Sequence, residues 1–140
     1  MPKFATDIKQ SNKLAEILPI ETADIGWNVF YDSSTRLLPI DDWDLLKHEE
    51  DETQFVPAWS IEALLQFLPV EVETDETFIK NKFTLDIQKW EDGRVYVAYR
   101  FDASKTFRFC STANSLVDSM FDAIMFLHKE RLLNTPKKKK

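Results

Sequence analysis

The sequence predicts an α+β fold, in which helices pack on one face of a small antiparallel sheet. In three segments apolar residues recur every three or four positions, and elsewhere two β-rich segments flank a glycine turn. The helices are expected at about residues 7–18, 59–68 and 114–133. The sheet is expected to combine the hairpin 83–101, the strand 106–111 and an N-terminal strand at 26–31, while residues 32–56 are expected to be irregular.

Helix boundaries are marked by local signals in two of these segments. In PAWSIEALLQFLP (57–69), Ser60 is a candidate N-cap, because its hydroxyl can accept a hydrogen bond from an unpaired amide of the first turn. In the last helix, Ser115 followed three residues later by Asp118 resembles a capping box. We therefore assign Asp118 a structural role in the first helical turn.

The register of the hairpin follows from its turn. A two-residue turn would set Ile87 opposite Ala98, whereas the three-residue loop Glu91-Asp92-Gly93 sets Ile87 opposite Val97. The longer loop makes one face wholly apolar, and a slip of one residue would turn that apolar set outward. We therefore predict the second register, with Gly93 in a left-handed conformation. The residues predicted to face the core are Phe83, Leu85, Ile87, Phe107 and Phe109.

Length and composition indicate one domain, residues 1–136, followed by a disordered basic tail at 137–140. The chain has only two glycines, which argues against phosphate-binding loops, and one cysteine, which excludes an internal disulfide. Neither a signal core nor an 18-residue apolar span is present, so we expect a soluble, cytoplasmic protein with no membrane contact. We expect no cofactor and no metal, because the single cysteine and two distant histidines give no zinc spacing.

Charge is distributed unevenly along the chain. Residues 1–76 carry 17 acids and 5 bases, whereas residues 77–140 carry 7 acids and 13 bases. Such a division suggests either that the opposite charges of the two halves pair with each other or that the two halves present differently charged faces to partners.

The run DDWDLLKHEEDE at 41–52 is the most acidic segment. It lacks the central glycine of a calcium-binding loop, and two leucines interrupt its acids. A solvated loop is the simplest interpretation, and a docking segment for a partner is the second. The residues of this candidate acidic docking run are Asp41, Asp42, Asp44, Glu49, Glu50, Asp51 and Glu52.

The sheet face opposite the predicted core is the other candidate site. Trp90 beside Arg94 allows a cation–π contact, and Arg100 and Arg108 would lie on neighbouring strands, where they require an anion nearby. This face is a solvated mixed surface, a surface covered by the acidic N-terminal half, or a site for an anionic partner. The net charge of −6 argues against nucleic acid as that partner. The candidate partner-binding residues are Trp90, Arg94, Tyr96, Arg100 and Arg108.

Three segments resemble a known family. They are ETAD (21–24), PAWSIEALLQFLP (57–69) and NSLVDSMFDAIMFLHKERLL (114–133). In this order they are similar to the small uncharacterised proteins carried by prophages and mobile elements of Bacteroides-type bacteria. Val117-Asp118-Ser119 stands where that family usually has V-D-A, and Ile124-Met125 inverts its M-I pair. The resemblance implies a fold but no activity and no catalytic residues.

Three functions follow as hypotheses. The first is a non-enzymatic accessory protein of a phage or mobile element that binds another protein or a second copy of itself. The second is an acidic inhibitor or immunity-type protein that mimics nucleic acid with residues 41–52 and 71–76. The third is an enzyme with a spatially assembled site, in which Cys110 would meet a histidine and a carboxylate.

Overall fold

The computed structural model describes residues 3–30, 35–39, 53–76, 79–101 and 107–133. The chain divides into two compact units, one of residues 4–63 and one of residues 64–140 that also includes residues 1–3. Each unit contains an antiparallel sheet, and helices accompany the sheets, so the α+β class is confirmed. The acidic run 41–52 and the tail 137–140 lie outside the described residues.

The first unit contains a three-stranded sheet in the order β2-β1-β3. Its strands are β1 (Ile25–Phe30), β2 (Thr35–Pro39) and β3 (Thr53–Ala58), and helix α1 (Ile8–Ala15) contacts β3. Asp7 and Gln10 form a capping box at the start of α1, which satisfies two amides that the helix itself cannot pair. Gly26 is buried beneath the ring of Phe55, and any Cβ at this position would overlap that ring.

Two of the segments that carry the family resemblance contact each other within this unit. The indole of Trp59 donates a hydrogen bond to the Thr22 hydroxyl (3.0 Å), and the Ser60 amide donates to Asp24 (2.9 Å). The Ser60 hydroxyl also donates to Asp24 and accepts from the Ala63 amide, which makes Ser60 the cap of helix α2 (Ile61–Leu65). The ETAD turn thus holds the Trp-Ser pair at the point where β3 ends and α2 begins.

The second unit contains a four-stranded sheet in the order β4-β5-β6-β7. Its strands are β4 (Glu71–Glu76), β5 (Ile79–Lys89), β6 (Val95–Phe101) and β7 (Phe107–Ala113). The predicted hairpin register is confirmed, since Ile87 pairs with Val97. Gly93 has a φ of 92°, a conformation that glycine adopts without strain.

Helix α3 (Leu116–Lys129) packs on β6 and β7. Ser115 caps its first turn by accepting from the Asp118 amide, so the predicted cap is confirmed, and Asp118 lies in the first helical turn as expected. The Asp118 carboxylate also pairs with Lys3 at 2.7 Å. The rings of Phe109 and Phe126 stack at 4.8 Å, and the Ser119 hydroxyl donates to the backbone carbonyl of Val95 at 3.0 Å.

The predicted arrangement of strands needs two corrections. The N-terminal strand lies in its own sheet with β2 and β3, which occupy part of the segment expected to be irregular. Pro57 belongs to β3, which is an edge strand of that sheet, where proline is tolerated. The acidic residues 71–76 form strand β4 beside β5. The pairing of β1 with β3 joins residues more than twenty positions apart, and β4 is rich in acids. Apolar alternation reveals neither feature.

The predicted helix bounds were too wide. The α-helical residues are 8–15, 61–65 and 116–129. After α1 and α2 the chain continues in tighter turns, with bonds such as Ile17 to Leu14 and Phe67 to Leu64. Such a last turn uses carbonyls that the helix leaves unpaired.

Candidate partner-binding surface

The four-stranded sheet has an inner face that α3 contacts and an outer face on the opposite side. Ser111 donates to Asp122 of α3 (2.8 Å), so its neighbours Cys110 and Thr112 point to the outer face, because successive side chains of a strand alternate. The strand register places the other outer-face residues. They are Glu71, Glu73, Lys82, Thr84, Asp86, Gln88, Tyr96, Ala98, Arg100 and Phe107.

Three aromatic rings form a continuous row on this face. Trp90 stacks on Tyr96 with ring centroids 6.2 Å apart, and Phe107 meets Tyr96 edge-on at 5.9 Å. Trp90 and Phe107 are each 40% exposed, whereas Tyr96 between them is only 6% exposed. We call Trp90, Tyr96 and Phe107 the aromatic row. Aromatic side chains with this partial exposure are typical anchors of protein interfaces.

The arginine at the hairpin turn has two partners. The Arg94 guanidinium lies 4.8 Å from the centre of the Trp90 ring, and its Nε donates to Asp92 at 2.7 Å. The Arg94 backbone amide also donates to Asp92, and these two hydrogen bonds lower the pKa of the Asp92 carboxyl. The predicted cation–π contact between Trp90 and Arg94 is therefore confirmed.

Arg100 lies on the outer face, as predicted, and pairs with Asp86 at 3.2 Å. Asp86 also accepts from the Gln88 side chain. The guanidinium therefore meets an acid of its own sheet, which reduces the requirement for an external anion. Burial, followed by the nearby Asp86 carboxylate, raises the pKa of Tyr96.

Arg108 departs from the prediction. The ladder between β6 and β7 shifts between Tyr99 and Arg100, so Phe107 pairs with Arg100. This bulge brings Phe107, which was predicted to face the core, to the Tyr96 ring on the outer face. Arg108 instead forms an ion pair with Glu130 at 3.3 Å, just beyond α3. The prediction that Arg108 belongs to the outer arginine pair is therefore wrong.

The charges of the outer face and its turn are nearly balanced. Glu73 lies opposite Lys82, and Glu71 lies opposite Thr84, so β4 adds acids next to the bases of the hairpin. Both glutamates and Lys82 are exposed. Cross-strand pairs of opposite charge stabilise a sheet modestly. Among the described residues, this face therefore lacks the basic excess that nucleic acid requires.

Cys110 lies on the outer face and is exposed. Partial burial raises the pKa of its thiol, which disfavours the nucleophilic thiolate. His128 belongs to α3, on the other side of the sheet. In the part of the chain that the structure describes, no group of three His, Cys, Asp or Glu side chains has the arrangement of a metal site.

Comparisons with known proteins found no matching family model, no matching curated protein and no matching solved structure. Over the described ranges, no helix combines the length and apolar character that a membrane span needs.

All five candidate partner-binding residues were predicted on this side of the sheet, and the structure places four of them there, without Arg108. Phe107, which was predicted to face the core, joins them. The segment TFRFCS alternates without interruption, and nothing in it signals a bulge. The extra residue becomes apparent only when β7 is aligned with β6.

Proposed function

We propose that this chain is a non-enzymatic accessory protein of a phage or mobile element and that it binds another protein through the outer face of the second unit's sheet. The observation that carries the proposal is the aromatic row, in which Trp90 and Phe107 remain 40% exposed at the two ends. Partly exposed aromatic side chains that are already held in place lose little conformational entropy when a partner covers them.

The charges around the row indicate the chemistry of the partner. Arg94 and Arg100 are each paired with an acid of the same hairpin, and exposed glutamates lie along β4. A strongly anionic partner would have to compete with those acids. The surface fits a protein patch with an apolar centre and a rim of mixed charge, which is the usual composition of a non-obligate interface.

The proposal can be tested by capture from lysates of the host bacterium, followed by affinity measurement with the purified partner. Trp90→Ala and Phe107→Ala are expected to weaken binding about 30-fold each, because truncating an aromatic anchor costs about 2 kcal/mol. Val70→Ala is the matched control, since Val70 is an apolar side chain of the same unit that is 73% exposed. It is expected to bind like the wild type.

The result that would overturn the proposal is a partner that both aromatic variants bind as tightly as the wild type does. Recovery of nucleic acid alone would also overturn it. Circular dichroism and urea unfolding of each variant separate a lost contact from a lost fold.

The second candidate function is an acidic inhibitor that occupies a basic nuclease or DNA-binding surface. The exposed Glu71 and Glu73 on β4 favour it, together with the acidic run predicted at 41–52. Replacing the acids at 49–52 by serine, or Glu71 and Glu73 by glutamine, is expected to reduce inhibition of a basic nuclease. Retained inhibition by all these variants would eliminate this candidate.

A further inference from the structure

The indole N–H groups of this chain differ in their hydrogen bonds. In the first unit, the Trp27 indole donates to the Thr6 carbonyl at 2.7 Å. The Trp59 indole donates to the Thr22 hydroxyl at 3.0 Å. The Trp90 indole, in contrast, donates to no group among the residues that the structure describes, and Trp90 is 40% exposed. A segment that covers Trp90 shields this N–H from water, and a buried donor left without an acceptor weakens the complex. A partner that binds tightly here therefore brings an acceptor to Trp90.

The charges beside the aromatic row favour a neutral acceptor. Asp92 follows Trp90 in the hairpin turn, and Asp86 lies on β5. Each of these acids accepts from an arginine of the same hairpin, Arg94 or Arg100. A carboxylate that approached Trp90 would face these two acids, while the arginines that could attract it are already paired. A carbonyl oxygen meets no such repulsion.

The surroundings of the row distinguish between kinds of backbone. An α-helix with its side chains is about 10–12 Å across, whereas neighbouring strands lie about 4.8 Å apart. Because Arg100 lies opposite Phe107, a helix on the row would also cover the Asp86–Arg100 ion pair, and its carbonyls are already bonded within the helix. An extended strand has free carbonyls, but it brings backbone N–H groups that would compete with the arginines for Asp86 and Asp92. Neither kind of segment matches a surface that offers a free donor beside paired acids.

We propose that the segment which covers the aromatic row is an uncharged, proline-rich peptide in the polyproline II conformation, one of whose carbonyls accepts from the Trp90 indole. This conformation has no internal hydrogen bonds, so its carbonyls are free, and proline has no backbone N–H that requires an acceptor. Its rings are apolar, and aromatic-lined surfaces bind such preformed segments at low entropic cost. Trp90 and Phe107 supply the exposed rings on either side of the nearly buried Tyr96. The inference rests on the proposed function, because it names the chemistry of a partner on the same surface.

Titration of the isotope-labelled full chain with decaproline tests the proposal by NMR, with a defined probe in place of the natural partner. The Trp90 indole N–H signal, identified by its loss in Trp90→Phe, is expected to shift and to saturate at about 1 mM peptide or below. The signals of Trp27 and Trp59 are expected to stay in place, because both indoles donate within the first unit. A decapeptide of alternating glycine and serine is the matched control. It is equally uncharged but carries backbone N–H groups and no apolar rings, and it is expected to shift no indole signal.

Variants separate the hydrogen bond from the contact between rings, with the backbone amide signals of β6 as the readout. Trp90 replaced by 3-benzothienylalanine keeps the shape of the indole but has sulfur in place of the N–H. It is expected to raise the dissociation constant of decaproline about fivefold. Phe107→Ala removes a ring and is expected to raise it about tenfold. Val70→Ala, at an exposed apolar side chain outside the row, is expected to leave it unchanged.

A Trp90 signal that stays in place up to the solubility limit of decaproline would overturn the inference. Equal affinity of the wild type and the benzothienyl variant would overturn it as well, as would a captured partner that docks on the row through a helix or a carboxylate. The proposed function survives all these results if Trp90→Ala and Phe107→Ala still weaken binding of the captured partner. If they do not, the proposed function itself fails, whatever decaproline does.

Discussion

The two faces of the four-stranded sheet use similar residue types for different purposes. On the inner face, Val97 and Tyr99 are completely buried, as are Met120 and Ile124 of α3. On the outer face, aromatic rings lie beside one another with two of them 40% exposed, and ion pairs surround them. Where α3 covers it, the inner face therefore stabilises the unit by burial, while the two ends of the aromatic row on the outer face remain accessible. An accessible apolar surface held in one arrangement is typical of a binding site.

The largest effect is expected where the inner face is most tightly packed. Ile124→Ala removes a fully buried side chain and is expected to lower the free energy of unfolding by about 2–5 kcal/mol, through lost burial and a residual cavity. Phe107→Ala on the outer face is the comparison and is expected to cost about 1 kcal/mol. Urea unfolding of both variants measures the difference. Equal losses would mean that the two faces contribute alike to the stability of the unit.

An intermediate effect is expected at Tyr99, whose buried hydroxyl donates to the Pro69 carbonyl at 2.8 Å. Tyr99→Phe leaves that carbonyl without this donor and is expected to cost about 1–3 kcal/mol.

Tyr99 also makes stability depend on pH at the alkaline end. Burial raises the pKa of Tyr99 above the value near 10 of an unfolded tyrosine. The folded state retains the neutral form of Tyr99. The contribution of Tyr99 to the free energy of unfolding is therefore complete below about pH 10 and is lost as the pH rises toward the pKa of Tyr99 in the folded state. The free energy of unfolding, measured across this pH range, is expected to decrease less for Tyr99→Phe than for the wild type. An identical loss would assign the alkaline effect to other groups.

The smallest effect is expected at the contact between Trp90 and Arg94. A double-mutant cycle with Trp90→Ala and Arg94→Gln is expected to give a coupling of about 0.5–1 kcal/mol in stability, which is the usual value of an exposed cation–π pair. The same Trp90 variant is expected to lose most of its affinity for a partner. A coupling energy above about 2 kcal/mol would assign Trp90 to the hydrophobic core instead of the binding surface.

Several features of the candidate site follow from local sequence. The loop Glu91-Asp92-Gly93 sets the register of the hairpin, because glycine accepts the positive φ that the turn requires. That register alone places Trp90, Tyr96 and Arg100 on one face. The two helix caps, Ser60 and Ser115, are equally local, since each accepts from an amide three residues later.

Other features depend on contacts between paired strands or between distant segments. The bulge places Phe107 instead of Arg108 on the outer face, and it forms only because β7 aligns with β6. The acids of β4 balance the basic side chains of the hairpin only because β4 pairs with β5. The link between the ETAD turn and Trp59-Ser60 likewise joins residues more than thirty positions apart. By itself, the sequence determined the α+β class, the hairpin register and the helix caps, because neighbouring residues decide turns and caps. Only the tertiary structure decided the division into two sheets and the composition of the exposed face, because strand pairing depends on which distant segments meet.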